Sequence, residues 1–257
     1  MSFRTFVHRD VSRVVVTNFG AGSISIEHGP QDDAVEGSLN AADQELLEGA
    51  EISQDGHELR IALPHRLFLS STAHLRLGVP DGLSYSIDAR SADIRIAAVM
   101  RRSKVVSGSG DITIDDAEDL ICSTGSGELA LGQLGGAGAR LNTGSGDISV
   151  TTAHCPISVR SGSGDVVVRS VRQSALQASS GSGDITVPST TGSVDLRSAS
   201  GSLTVGVADE LPAWLDLSSV TGSIRIALET GSEPSPGEPY VSIRARTASG
   251  EIAVYRA

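Results

Sequence analysis

SGSGDITIDD, residues 107–116, returns along this chain in slightly altered form, and that recurrence decides the fold. The pair Gly110-Asp111 comes back as Gly127-Glu128, Gly146-Asp147, Gly164-Asp165 and Gly183-Asp184, then as Gly201-Ser202, Gly222-Ser223 and Gly250-Glu251. The first five copies sit 17 to 19 residues apart. A fixed period, with a turn signal and a short β-rich run in every copy, is the signature of a solenoid.

Numbering each copy from its acidic residue as zero makes the side-chain logic readable. Position +1 holds Ile112, Leu129, Ile148, Val166, Ile185, Leu203, Ile224 and Ile252, and position +3 holds Ile114, Leu131, Val150, Val168, Val187, Val205, Ile226 and Val254. Small or polar residues such as Thr113, Ser149, Thr186 and Arg225 stand between them, which is the alternation of a half-buried strand. Upstream of the turn, Ile157, Leu176, Val194, Leu215 and Ile243 occupy −8, and Cys122, Leu141, Val159, Leu196 and Leu217 occupy −6. Arg160, Arg197, Arg246 and Asn142 take the outward −5 slot, and Ala117, Leu134, Ala153, Val171 and Ala208 add a third apolar point at +6.

Each unit is therefore strand, turn, strand and return, and the fold expected is all-β: a single-chain parallel β-solenoid (β-helix) of about 18 residues per coil. The paired glycines are expected to turn each corner through φ > 0, which only glycine enters without steric cost. One coil cannot fold alone, because its few inward aliphatics do not offset the ordering of its backbone, so the coils must stack cooperatively.

The register reaches back to Asp93, Ile94 and Ile96, so the solenoid is assigned to residues 76–257 with a loop insertion at 229–240, ETGSEPSPGEPY. Residues 1–75 read as an N-terminal β cap, with opening strands around Val14–Val16, Gly22–Ile26, Glu51–Ile52 and Leu59–Leu63, and with 32–51 as loop or short helix. The aromatics Phe3, Phe6, Phe19 and Phe68 near one end, and Trp214, Tyr240 and Tyr255 near the other, are the candidate N- and C-terminal cap residues.

The net charge of −11 and the lack of a basic stripe with aromatic platforms argue against nucleic acid as a partner. MSFRTFVHRDVSR lacks the apolar core of a signal peptide and no apolar run could span a bilayer, so a cytoplasmic location without membrane insertion is expected; surface display stays open if a leader precedes this sequence. Cys122 in an inward slot and Cys155 in a turn are expected to be reduced.

Five residues form the one candidate binding feature. If the coils stack in register, Asp111, Glu128, Asp147, Asp165 and Asp184 make an acidic ladder with about 4.8 Å between rungs. The acid follows glycine directly and occurs once per coil, which does not reproduce a G-G-x-G-x-D calcium roll, so capping of turn amides is the primary expectation and no metal or cofactor is assigned. No catalytic residue is assigned either: His154 is the only solenoid histidine, and His8, His28, His57, His65 and His74 lack ligand spacing. Paired carboxylates in a cleft and aromatic sugar platforms are missing from the repeat body.

With the repeats at 107–114, 143–150, 161–168 and 180–187, and the opening segment Thr17–Ile26, the chain resembles a bacterial putative-adhesin family of β-strand-repeat proteins of unknown function. The resemblance covers nearly the whole chain and implies a parallel β-solenoid without catalytic residues. The function expected is a non-enzymatic scaffold or adhesin-like binding protein that presents a Ser/Thr/Asp/Arg-decorated face to a protein or glycan partner, or self-associates as a homo-oligomer through solenoid ends or edges. The alternative is a calcium-dependent adhesin using the acidic ladder; a carbohydrate-active enzyme on the solenoid flank ranks last.

Overall fold

The computed structural model describes residues 2–29, 33–64, 72–208, 211–228 and 240–257. Most of the described residues lie in β-strands, mostly parallel, and only five are helical. No helix among the described residues is long and apolar enough to cross a membrane. The chain forms two compact units, Met1–Ala130 and Leu131–Ala257.

In the first unit, β1 (Ser2–Arg9), β2 (Arg13–His28) and β3 (Ala34–Ala41) are followed by α1 (Gln44–Glu48), β4 (Glu51–Asp55), β5 (Glu58–Ala62) and β6 (Thr72–Val79). Then come β7 (Leu83–Ile96), β8 (Met100–Ser107), β9 (Ile112–Thr124) and the start of β10 (Leu129–Thr143). β2 is the organising strand, pairing in parallel with β5, β6 and β7. Antiparallel pairs β1–β3, β3–β6 and β4–β5 lie beside it. Val14, Val16, Phe19, Ile24 and Ile26 of β2 meet Leu59, Ile61, Leu75, Leu77, Ile87, Ile94 and Ile96 in the buried interior.

β2 merges the two strands expected around Val14–Val16 and Gly22–Ile26. It bends where Asn18 takes a left-handed φ of 57° and the register against β7 slips between Val16 and Phe19. The segment 32–51 also differs from expectation: Ala34–Ala41 is a strand, since its small residues fit between β1 and β6. Gly37 shows why, because a Cβ there would lie 2.1 Å from the Phe6 ring. His65, Phe68 and residues 229–239 lie outside the described residues.

The second unit holds the rest of β10 with β11 (Ile148–Ala153), β12 (Ile157–Ser161), β13 (Val166–Val171), β14 (Ala175–Ser180), β15 (Ile185–Thr190), β16 (Ser193–Ser198) and β17 (Leu203–Val207). It closes with β18 (Ala213–Ser219), β19 (Ile224–Ala227), β20 (Val241–Thr247) and β21 (Ile252–Arg256). Alternate strands stack in parallel and in register: β10, β12, β14 and β16 form one column and β11, β13, β15 and β17 the other. The +1 and +3 aliphatics from Ile148 to Val205 are buried, as are the −8 and −6 residues from Leu141 to Leu196.

The stacking order departs from chain order at the C-terminus. β20 pairs with both β16 and β18, and β21 with both β17 and β19. The last coil is thus inserted between the two that precede it, leaving β18–β19 outermost in this unit. Trp214, on β18, does not plug a core; it is 48% exposed, and Ile224 and Ile226 of β19, core by period, are 43% and 54% exposed.

Candidate functional site

The repeated corner is built by the hydroxyl at −4, the Ser or Thr that opens each turn and to which the sequence reading gave no role of its own. Ser180 Oγ accepts the Gly183 amide at 2.8 Å, and the same bond joins Ser107 to Gly110, Thr124 to Gly127, Thr143 to Gly146, Ser198 to Gly201 and Ser219 to Gly222. In several copies its own proton goes to a carbonyl of the neighbouring coil, as from Ser198 to Gly183 at 3.3 Å, from Thr247 to Gly201 at 3.0 Å and from Ser107 to Ala92 at 3.4 Å. Where both bonds form, one hydroxyl closes its own turn and ties it to the next; the buried Ser161 Oγ, at the same offset, has no hydrogen-bond partner among the described residues. Every copy carries Ser or Thr at this offset, so the pattern could have been read from the sequence.

The turn glycines serve a different purpose from the one expected. Among the described residues the positive-φ glycines are Gly22, Gly56, Gly82 and Gly136, and none belongs to an S-G-S-G turn. Stacked corners instead approach so closely that a Cβ on Gly164 would sit 2.0 Å from the Gly146 oxygen, and one on Gly183 2.1 Å from the Gly164 oxygen. Close backbone approach, rather than left-handed geometry, excludes a side chain.

All five acidic-ladder residues are exposed at these corners. In the first unit Asp93 Oδ1 accepts the Asp111 amide at 3.1 Å and Asp111 Oδ1 the Glu128 amide at 2.8 Å. In the second, Asp147 accepts from Asp165 and Asp165 from Asp184, both at 2.8 Å, and Asp184 from Ser202 at 2.7 Å. Asp93, Asp111, Asp147, Asp165 and Asp184 thus each cap the amide of the equivalent residue one coil on, whereas the Glu128 carboxylate makes no such bond among the described residues. No group of three or more His, Cys, Asp or Glu poised to hold a metal ion occurs among the described residues.

Nucleophile chemistry finds little support. Burial pushes the Cys122 thiol up to about 12, so it stays protonated, and Cys155 is buried as well. Burial, with the Asp81 charge adding to it, also raises the Tyr85 phenol far above its ordinary value. His74 Nδ1 lies 2.8 Å from Ser23 Oγ, but both stand exposed on a sheet. An open groove of about 410 Å³ lined by Phe6, Val7, His28, Glu36, Arg76 and Leu77 mixes apolar and charged groups.

The outward face of the first column in the second unit is more ordered. Register places Asn142, Arg160, Ser179, Arg197, Arg246 and Ser218 in one row, and Arg140, Ser158, Gln177, Asp195, Arg244 and Asp216 in the next. Neighbours in a row are about 4.8 Å apart. Asp195 is held by Arg197 at 3.0 and 3.2 Å, and Asp216 by Arg244 at 3.0 Å and Arg246 at 3.1 Å. The hydrogen bond from Arg244 first, and then that from Arg246, keep the Asp216 carboxyl below the ordinary aspartate value. Arg140 and Arg160 have no acidic partner among the described residues.

The sequence pattern of the Toastrack DUF4097 family matches residues 23–255. Among solved structures, the fold is similar to that of a protein called a putative adhesin from Bacteroides fragilis, at 13% identity, 98% of this chain, 97% of that chain and a TM-score of 0.51. It is similar also to a protein called a putative lipid binding protein from Parabacteroides distasonis, at 16% identity, 98% and 96% coverage and a TM-score of 0.52. At such identities the likeness is one of fold. No curated protein matches the sequence.

Proposed function

The chain belongs to the Toastrack DUF4097 family, and on that premise we propose that it is a non-enzymatic binding scaffold whose second unit holds an extended, negatively charged partner, protein or glycan, on its arginine-bearing face. One observation carries this: in a chain of net charge −11, two adjacent outward rows gather Arg140, Arg160, Arg197, Arg244 and Arg246 against only Asp195 and Asp216. A local field opposite in sign to the whole molecule steers and orients a charged partner. The regular rise between rungs suits a repeating polymer or an extended strand better than a compact metabolite. The adhesin name of the Bacteroides fragilis neighbour is in keeping with a binding role.

The test is binding to an immobilised panel of polyanionic and neutral polysaccharides and acidic and neutral peptides, with the double variant Arg140→Glu/Arg160→Glu as control. Retention on the anionic members, weakened by salt and lost in the variant, is expected. Equal retention on neutral members, or binding unchanged by the charge reversal, removes this face as the site.

A further inference from the structure

The outermost coil of the second unit is built as an interior coil with one neighbour missing. Ile224 and Ile226 occupy the slots that hold Ile252 and Val254 one coil in, where exposure is 0% and 1%, yet they are 43% and 54% exposed. Leu215 and Leu217 fill the matching slots on β18 and are only partly buried. Among the described residues β18 pairs with β20 alone and β19 with β21 alone, so the far edge of each presents unpaired N–H and C=O groups. Neither AWLDLSS nor IRIA carries the lysine or proline that commonly blunts such an edge.

We propose that this coil docks a second copy of the chain in a twofold, head-to-head dimer in which β18 of each copy runs antiparallel to β19 of the other. The occupant follows from complementarity. A dyad through the corner between Ser219 and Ile224 crosses the two strands, and placing Asp216 opposite the second copy's Arg225 fixes every other pair. Leu215 then faces Ile226 and Leu217 faces Ile224, apolar on apolar in the inward slots. Trp214 faces Ala227 on the outside, and the two Asp216–Arg225 pairs bring opposite charges together. Pairing β18 with its own copy instead leaves β19 without a partner strand and, when centred on Asp216, opposes two carboxylates. An isologous contact of this kind uses one patch twice and closes at two copies. This contact goes beyond the binding role proposed above, although Asp216 borders both surfaces.

Trp214 is the single tryptophan of the chain, which supplies a built-in probe. The full chain is followed by sedimentation equilibrium over a dilution series while its tryptophan emission is recorded. Expected are a monomer–dimer equilibrium and a blue shift of emission that follows the dimer fraction. Ile226→Glu and Ile224→Glu, at positions already half exposed in the monomer, should each weaken association by roughly tenfold or more. Their melting temperatures, measured in parallel at monomeric concentration, should stay near the parent value. A monomer at every concentration overturns the proposal, and so does a dimer whose emission does not shift or that survives both substitutions in folded protein.

Discussion

Replacing Gly183 by alanine adds one methyl group, and the structure says where it must go. The new Cβ would lie 2.1 Å from the Gly164 oxygen, 2.5 Å from its carbonyl carbon and 3.0 Å from the Asp165 nitrogen, all of them backbone. None can rotate away, so relief requires the corners of two stacked coils to part by about 1 Å, a shift that overpacked cores resist at about 1–3 kcal/mol. Parting them also stretches the bridge in which Ser180 Oγ receives the Gly183 amide at 2.8 Å and reaches the Gly164 oxygen at 3.5 Å, worth about 1 kcal/mol more. The expected loss is about 2–4 kcal/mol, which lowers the urea midpoint by about 1 M. Gly135→Ala is the matched control, because nothing lies within 4 Å of the place its methyl group would take and its φ is not positive. That change should be neutral or slightly stabilising through the unfolded chain. Equal midpoints for the two variants would refute close approach as the reason for glycine at the corner.

Ser180→Ala leaves the Gly183 amide and Gly164 carbonyl without their shared hydroxyl and should cost about 1–3 kcal/mol by denaturation. Ser180→Thr should be tolerated, since Thr124 and Thr143 make the same bond in other copies; a thermal melt as poor as that of the alanine variant would contradict the bridge. For Asp216 the folded-state pKa lies below the unfolded one, so its stabilisation is complete above about pH 4 and is lost as pH falls through the folded value. The midpoint gap between parent and Asp216→Asn should therefore be constant near neutrality and close in acid; a gap that persists at the lowest pH counts against the Arg244 and Arg246 contacts as its source. Stopping the chain after Leu228 removes the strand partners of β18 and β19, so limited trypsinolysis should cut after Arg225 much faster than in the full chain.

Period-two alternation and the Gly-Asp recurrence made the coils legible because both are local: Ile148, Val150, Val166 and Val168 point inward whatever lies elsewhere. What periodicity cannot say is whether a neighbour stands on the far side. Ile224 and Ile226 carry the same signal as Ile252 and Val254, and only the insertion of β20–β21 beneath them separates buried from exposed. Ala34–Ala41 escaped for a related cause, as its alanines, glycine and serine lack a β-branched signal and become a strand through antiparallel partners distant in sequence. The rows of arginine were visible as an outward slot, but their balance with Asp195 and Asp216 depends on which coils are neighbours.

The acidic corner residues follow the same dependence on a neighbour. Asp165 holds the Asp184 amide and Asp184 the Ser202 amide, so an acid is useful where another coil follows in space. Ser223 belongs to the outermost coil and has no following coil among the described residues, but Ser202, which does have one, lacks the acid as well. Glu251, one coil in, turns instead to Arg225 at 2.9 Å, tying the outermost strand to the coil beneath it. A ligand at the corner would have to compete with the amide bonds that keep the stack in register. The arginine rows have no such duty at Arg140 and Arg160, which is why the strand face, rather than the turn, is the better place to seek a partner.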